Sequence, residues 1–172
     1  MKEIMEKFNR LMILDKLASK EASLEKIVDL PENAKRRINN EMMDDAAARL
    51  YRVIEAVAQY RLTTRYGLSN QELKELSGLK GLYVLLEKKD DPIGEKYSEG
   101  KGKIVGLLQA RNSSILAHGW EPVKINATSK LLEVAESLTE TLFQLEERSY
   151  QEERAEVQHP NIDPETLLQL LK

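Results

Sequence analysis

Arg111 and His118, seven positions apart, are the residues of this chain best suited to chemistry. Imidazole titrates near neutral pH and can pass protons, while guanidinium keeps its charge and forks onto phosphate or carboxylate oxygens. The stretch from about Lys103 to Ala117 predicts a helix, closed by Gly119 and Pro122. Ile104, Leu107, Leu108 and Ile115 make one apolar stripe along it. Seven residues turn a helix through about 700°, two turns less roughly 20°, so Arg111 and His118 both project into that stripe, roughly 10 Å apart along the axis. A guanidinium in the middle of a core-facing stripe is costly without a partner or a ligand. Asn112, Ser113 and Ser114 add polar groups to the same turn, with Ser114 closest to the Arg–His face. A purely structural reading also exists. The helix C-terminus favours an imidazolium, and an arginine can pack its stem while its head reaches water.

Other chemistries are narrowed by what the chain lacks. It has no cysteine, which excludes disulfides, thiolate zinc sites and a cysteine nucleophile. Of its two histidines, His159 precedes Pro160 among acidic residues and reads as loop surface. Asp44-Asp45 and Asp90-Asp91 have no His or Glu companions at ligand spacing, so neither a bound metal nor a cofactor is expected. Lys35-Arg36-Arg37 is a small basic cluster of surface type, and Trp120 most simply tucks against the helix end.

The elements that must position these residues are helices. At 172 residues the chain fits one domain, or one with an appendage, and 41% apolar residues suffice for a core. With 32% charged and 5% aromatic residues and no sustained period-two alternation, the fold class is all-α. Residues 2–20 predict an amphipathic helix, Ser23–Asp29 a short piece, and Pro31 a restart into Glu32–Asn39. Asp44 to about Tyr66 is the strongest helix, with acidic residues at its start, Gly67 as its stop, and Ala46, Leu50, Val53, Ile54 and Val57 as one stripe. Ser69 with Glu72 resembles a capping box for a short helix to Leu76. Leu82–Glu87 is a brief apolar run, Lys88 to Pro92 a turn, and Tyr97–Gly102 a loop. Asn126 or Thr128 caps a long helix reaching about Gln158, and Asp163-Pro164-Glu165 starts a last one. The expected division is a helical extension over 1–27 and a domain over 28–172. No apolar run is long enough to span a membrane and no signal peptide is evident, so a cytoplasmic location is expected.

Two blocks carry a family resemblance. Arg111-Asn112-Ser113-Ser114-Ile115-Leu116-Ala117-His118-Gly119 is similar to the signature of the HEPN ribonucleases. Asn33-Ala34-Lys35-Arg36-Arg37-Ile38, then Asp44-Asp45-Ala46-Ala47-Ala48-Arg49-Leu50-Tyr51-Arg52 and Glu55 to Gln59, together with it resemble the C-terminal region of CRISPR-associated CARF–HEPN proteins of type III systems. The resemblance covers roughly residues 28–125. It implies a HEPN-type helical bundle with a long C-terminal helix and a metal-independent endoribonuclease acting on single-stranded RNA. Arg111 and His118 would be catalytic, with Asn112 and Ser114 in support. RNA carries its own nucleophile, the 2′-OH, so the protein need only move protons and hold the phosphorane. The resemblance further implies a homodimer whose composite site pairs two such helices.

Those relatives carry a Rossmann-like sensor of cyclic oligoadenylate, and no strand–Gly-rich-turn–helix unit precedes residue 28. The chain therefore reads either as a separate short HEPN protein or as the C-terminal piece of a longer one. Arg52, Glu55 and Gln59 share a polar face that reads first as solvated; the functional version places Arg49 or Arg52 along the RNA path. The rival readings are a non-catalytic helical dimerisation or regulatory module, and a HEPN toxin paired with an antitoxin. The net charge of -3 argues at first sight against a nucleic-acid partner. Residues 96–124, however, hold 5 basic and 2 acidic side chains, and the excess acid lies in 125–172.

Overall fold

The structure, a computed structural model, describes residue 12, residues 22–100, residues 104, 106 and 107, and residues 122–157. Among them there is no strand. The helices whose bounds are described are α1 (Leu24–Asn39), α2 (Met43–Tyr66), α3 (Asn70–Glu75), α4 (Gly78–Lys88), α5 (Pro92–Glu99), α6 (Ile125–Leu145) and α7 (Tyr150–Val157). Met12, Ile104, Gly106 and Leu107 are also helical. No described helix is long and apolar enough to cross a membrane.

α2 is the axis of the bundle, packed by α1, α6 and α4. The reason lies in its sequence. Beyond the expected stripe, Ala47, Ala56, Ala58 and Leu62 are also buried, so its buried positions sweep roughly 240° of arc rather than one face. Alanines let neighbouring helices come close, and the buried Leu50, Ile54 and Leu62 each contribute about 1.5–3 kcal/mol. What remains outside is a strip at Arg52, Glu55 and Gln59. Gly67 ends the helix with φ 70, its N–H donating to the Thr63 carbonyl while the Leu68 N–H reaches the Leu62 carbonyl; glycine adopts this left-handed conformation without Cβ strain. The expected capping box is present in full. Ser69 Oγ accepts from the Glu72 N–H, and Glu72 Oε2 accepts from the Ser69 N–H.

Four expectations are corrected. α1 runs without interruption through Pro31, where a restart was expected. Leu24, Ile27, Val28, Pro31 and Ala34 all face the core, and burial on both sides of the proline outweighs a local cost of about 3 kcal/mol. Residues 78–88 and 92–99 are helices rather than an apolar run, a turn and a loop. Asp91 caps α5, its Oδ1 accepting from the Ile93 N–H, and Pro92 sits in the first turn, a local signal that was present in the sequence. The start of α6 is capped by Lys124 without a side-chain hydrogen bond, not by Asn126 or Thr128; Thr128 instead donates its hydroxyl back to the Lys124 carbonyl. Finally, the expected helix to Gln158 breaks after Leu145, where Glu147 has φ 53. The break lets Tyr150 meet Phe143, ring centroids 5.5 Å apart, and carries Arg154 Nε to within 2.7 Å of Glu32 Oε1 on α1.

Candidate functional site

Arg111, Asn112, Ser114 and His118 lie outside the described residues, as do Trp120, His159, the helices expected beyond Leu107 and after Asp163 and, Met12 apart, the helix expected over 2–20. What the structure places is the frame on either side of them. Ile104 is 1% exposed, its N–H bonded to the Gly100 carbonyl, and Leu107 packs partly buried on the same core. On the far side Val123 is 7% exposed. Its N–H donates to Oδ1 of Asp44 in the first turn of α2, 3.3 Å away. The two residues stand 79 positions apart, and no spacing rule announces the contact.

Around that corner the acidic and basic residues are paired. Asp45 sits between Arg37 Nε at 2.9 Å and Arg49 Nε at 3.1 Å. Arg49 is thus engaged with a carboxylate while retaining 31% side-chain exposure. Of the Lys35-Arg36-Arg37 cluster, Lys35 bridges Glu32 and Glu136 at 2.8 and 2.5 Å, and Arg36 donates to Asn33. Burial raises the Glu32 carboxyl, but the hydrogen bond and charge of Lys35, with Arg154, outweigh it and hold that carboxyl below its ordinary range.

Arg52 lies on the opposite, exposed strip of α2. It donates to Glu55 at 2.6 Å and Gln59 at 2.9 Å, and all three line an open cleft of about 870 Å³. Leu68, Leu73 and Leu82 supply its apolar wall. The two expected RNA-path residues therefore have different settings: Arg49 is bound into the α1–α2 corner, and Arg52 faces the cleft.

A second polar cluster is structural in character. Asp91, 1% exposed, accepts from Arg61 Nε at 2.8 Å and from the Tyr66 hydroxyl at 2.9 Å, and Arg61 also reaches Glu146 at 3.1 Å. It ties α2, the start of α5 and the end of α6 together. Burial, then the bond to Asp91, pushes the Tyr66 hydroxyl up. Nearby, Tyr83 stacks on Tyr97 with centroids 3.8 Å apart and donates to the Ile54 carbonyl at 2.8 Å. Among the described residues, no three His, Asp or Glu side chains converge as metal ligands would.

The described residues form a helical bundle about one central helix, consistent with the all-α fold of a HEPN domain. The comparison with known families is more specific. The Csm6 HEPN domain family matches residues 15–78 and 74–142, and the chain belongs to that family of CRISPR-associated HEPN proteins. No curated protein and no solved structure matches it.

Proposed function

We propose that this chain is a metal-independent endoribonuclease domain that cleaves single-stranded RNA in CRISPR type III defence, with Arg111 and His118 as its catalytic residues. The observation that carries the reading is that the family match over 74–142 contains the whole run from Arg111 to His118, and HEPN domains are generally ribonucleases. In this mechanism His118 exchanges the proton of the 2′-OH or of the 5′ leaving oxygen. Arg111 holds the charge that builds on the phosphorane, and an apolar surround strengthens that interaction. Asn112 and Ser114 orient the phosphate or the imidazole. One helix offers one histidine, so acid and base together call for two copies of the chain with their Arg–His segments facing each other. RNA crosses the locally basic segment over 96–124, and Arg52 at the open cleft and Arg49 at the α1–α2 corner extend its path.

The test is cleavage of an end-labelled RNA in excess EDTA by the wild type and by His118→Ala. The expected products carry a 2′,3′-cyclic phosphate and a 5′-hydroxyl, and the variant loses them. Equal cleavage by both proteins overturns the assignment of His118. A dimer mass by light scattering at micromolar concentration is expected, and a monomer counts against the composite site.

A further inference from the structure

We infer that α7 is an exchangeable arm, and that two copies of the chain pair by trading it, each laying its α7 against α1 and α6 of the other. The inference stands on the α6–α7 corner and does not depend on Arg111 or His118.

The corner runs from Glu146 to Ser149, between Leu145 and Tyr150. α6 ends there much as α2 ends at Gly67. The Glu147 N–H donates to the Gln144 carbonyl and the Arg148 N–H to the Phe143 carbonyl. In α2 the left-handed residue of this turn is a glycine with φ 70, whereas in α6 it is Glu147 with φ 53. A Cβ crowds the neighbouring carbonyl in that conformation, and glycine escapes the crowding. Straightening the corner relieves it, and the local sequence does not resist. From Ile125 to Val157 there is neither glycine nor proline, so α6 and α7 can run on as one helix about 50 Å long. Glu41 and Asp90 also end helices with positive φ, but neither releases an arm. Pro92 bars a straight run after Asp90, and Glu41 leads into α2, which the core surrounds.

α7 is also held in a way that a second copy can reproduce. At eight residues it is too short to stand as a helix alone, and it depends on the surface beneath it. Its grip is Tyr150 on Phe143 of α6 and Arg154 on Glu32 of α1. Lys35 joins Glu32 to Glu136 of α6, so the receiving surface is assembled without α7. The Tyr150 hydroxyl is buried with no hydrogen-bond partner among the described residues, which lowers the cost of leaving. Once α7 swings out, Phe143 and Glu32 lose their cover. The element that matches them in shape and charge is another α7. Trading identical arms repeats every contact of the closed form and removes the strain at both corners, and short strained hinges favour such exchange.

A pair of charge reversals reads the exchange. Glu32→Arg in one chain and Arg154→Glu in another each destroy the ion pair, both within a chain and between identical chains. When the two are refolded together from urea, traded arms restore an opposite-charge pair on both receiving surfaces. The readouts are mass by light scattering over a concentration series, and amide hydrogen exchange at 151–157 and at Leu50–Leu62 of α2. The wild type is expected to gain mass with concentration. Each variant alone exchanges at 151–157 at least about tenfold faster, with α2 unchanged, and the mixture regains wild-type protection as a heterodimer. A mixture whose α7 stays as unprotected as in the separate variants overturns the inference whatever its mass, because such a dimer pairs through another face. If either reversal also loosens α2, the corner decides. Glu147→Gly relieves the closed form and weakens the straight helix, so it loosens the dimer at least about tenfold, whereas Glu147→Ala leaves it as tight or tighter. Equal effects of those two substitutions refute the exchange, as does a wild type that stays monomeric throughout.

Discussion

A glycine lets two helices of this bundle approach closely, and replacing it tests the packing directly. Gly94 on α5 faces α4 so tightly that a Cβ there would lie 2.5 Å from the backbone nitrogen of Glu87 and 2.7 Å from the carbonyl carbon of Leu86. Both are backbone atoms, so no side chain can swing aside. Ordinary contact begins near 3.4 Å, and Gly94→Ala forces the two helices apart by about 1 Å. That motion strains the stack of Tyr83 on Tyr97 and the Asp91 cap at the head of α5. Overpacking of this kind costs about 3 kcal/mol, the upper end of its usual range, because the obstruction is main chain. Alanine's better helix propensity returns about 1 kcal/mol. The net loss is about 2 kcal/mol, which in a domain of this size lowers the melting temperature by about 4–8 °C. Gly106→Ala is the matched comparison, since a Cβ on this helical residue meets none of the described residues within 4 Å. It gains up to about 1 kcal/mol. Thermal melts followed by circular dichroism, with urea titrations to confirm an unchanged slope, measure both. A Gly94→Ala melting temperature equal to or above the wild type refutes the close α4–α5 approach.

Two further predictions concern the ion pairs. Asp91→Ala leaves Arg61, whose side chain is 10% exposed, with Glu146 as its remaining carboxylate and removes the cap of α5. A loss of about 3 kcal/mol in urea denaturation is expected, and a loss below about 1 kcal/mol would mean that the network carries no stability. Glu32 has its carboxyl held low in the folded chain, so its contribution is complete above the unfolded pKa of about 4.3 and disappears as pH falls through the lower folded value. Glu32→Gln should therefore be less stable than the wild type at about pH 6, with the gap closing as the pH is taken to about 3. A gap that stays constant or widens on acidification contradicts the pairing with Lys35 and Arg154.

The parts of this protein legible in the sequence are those whose cause lies within a turn or two of helix. α2 is announced by its apolar spacing and ended by Gly67, and the Ser69–Glu72 box is readable from two residues three apart. The Asp91-Pro92 start of α5 was equally local, yet it was masked by the charged residues before it, which read as a turn. Pro31 misled for the opposite reason. Its local rule was sound, but the rule yields to burial on both sides of the ring. The break at Glu147 was invisible because the reward for it comes from elsewhere, from Tyr150 on Phe143 and Arg154 on Glu32.

The sequence by itself determined the all-α class and the family, because periodicity, caps and a short motif are all properties of neighbouring residues. Tertiary structure alone decided which face of α2 is left for Arg52, which carboxylate takes Arg61, and that Asp44 holds Val123. The last two depend on polar groups 30 or 79 positions apart being brought together by the packing. A buried charge or N–H must find whichever partner the packing brings within reach, and only the packed core determines that partner.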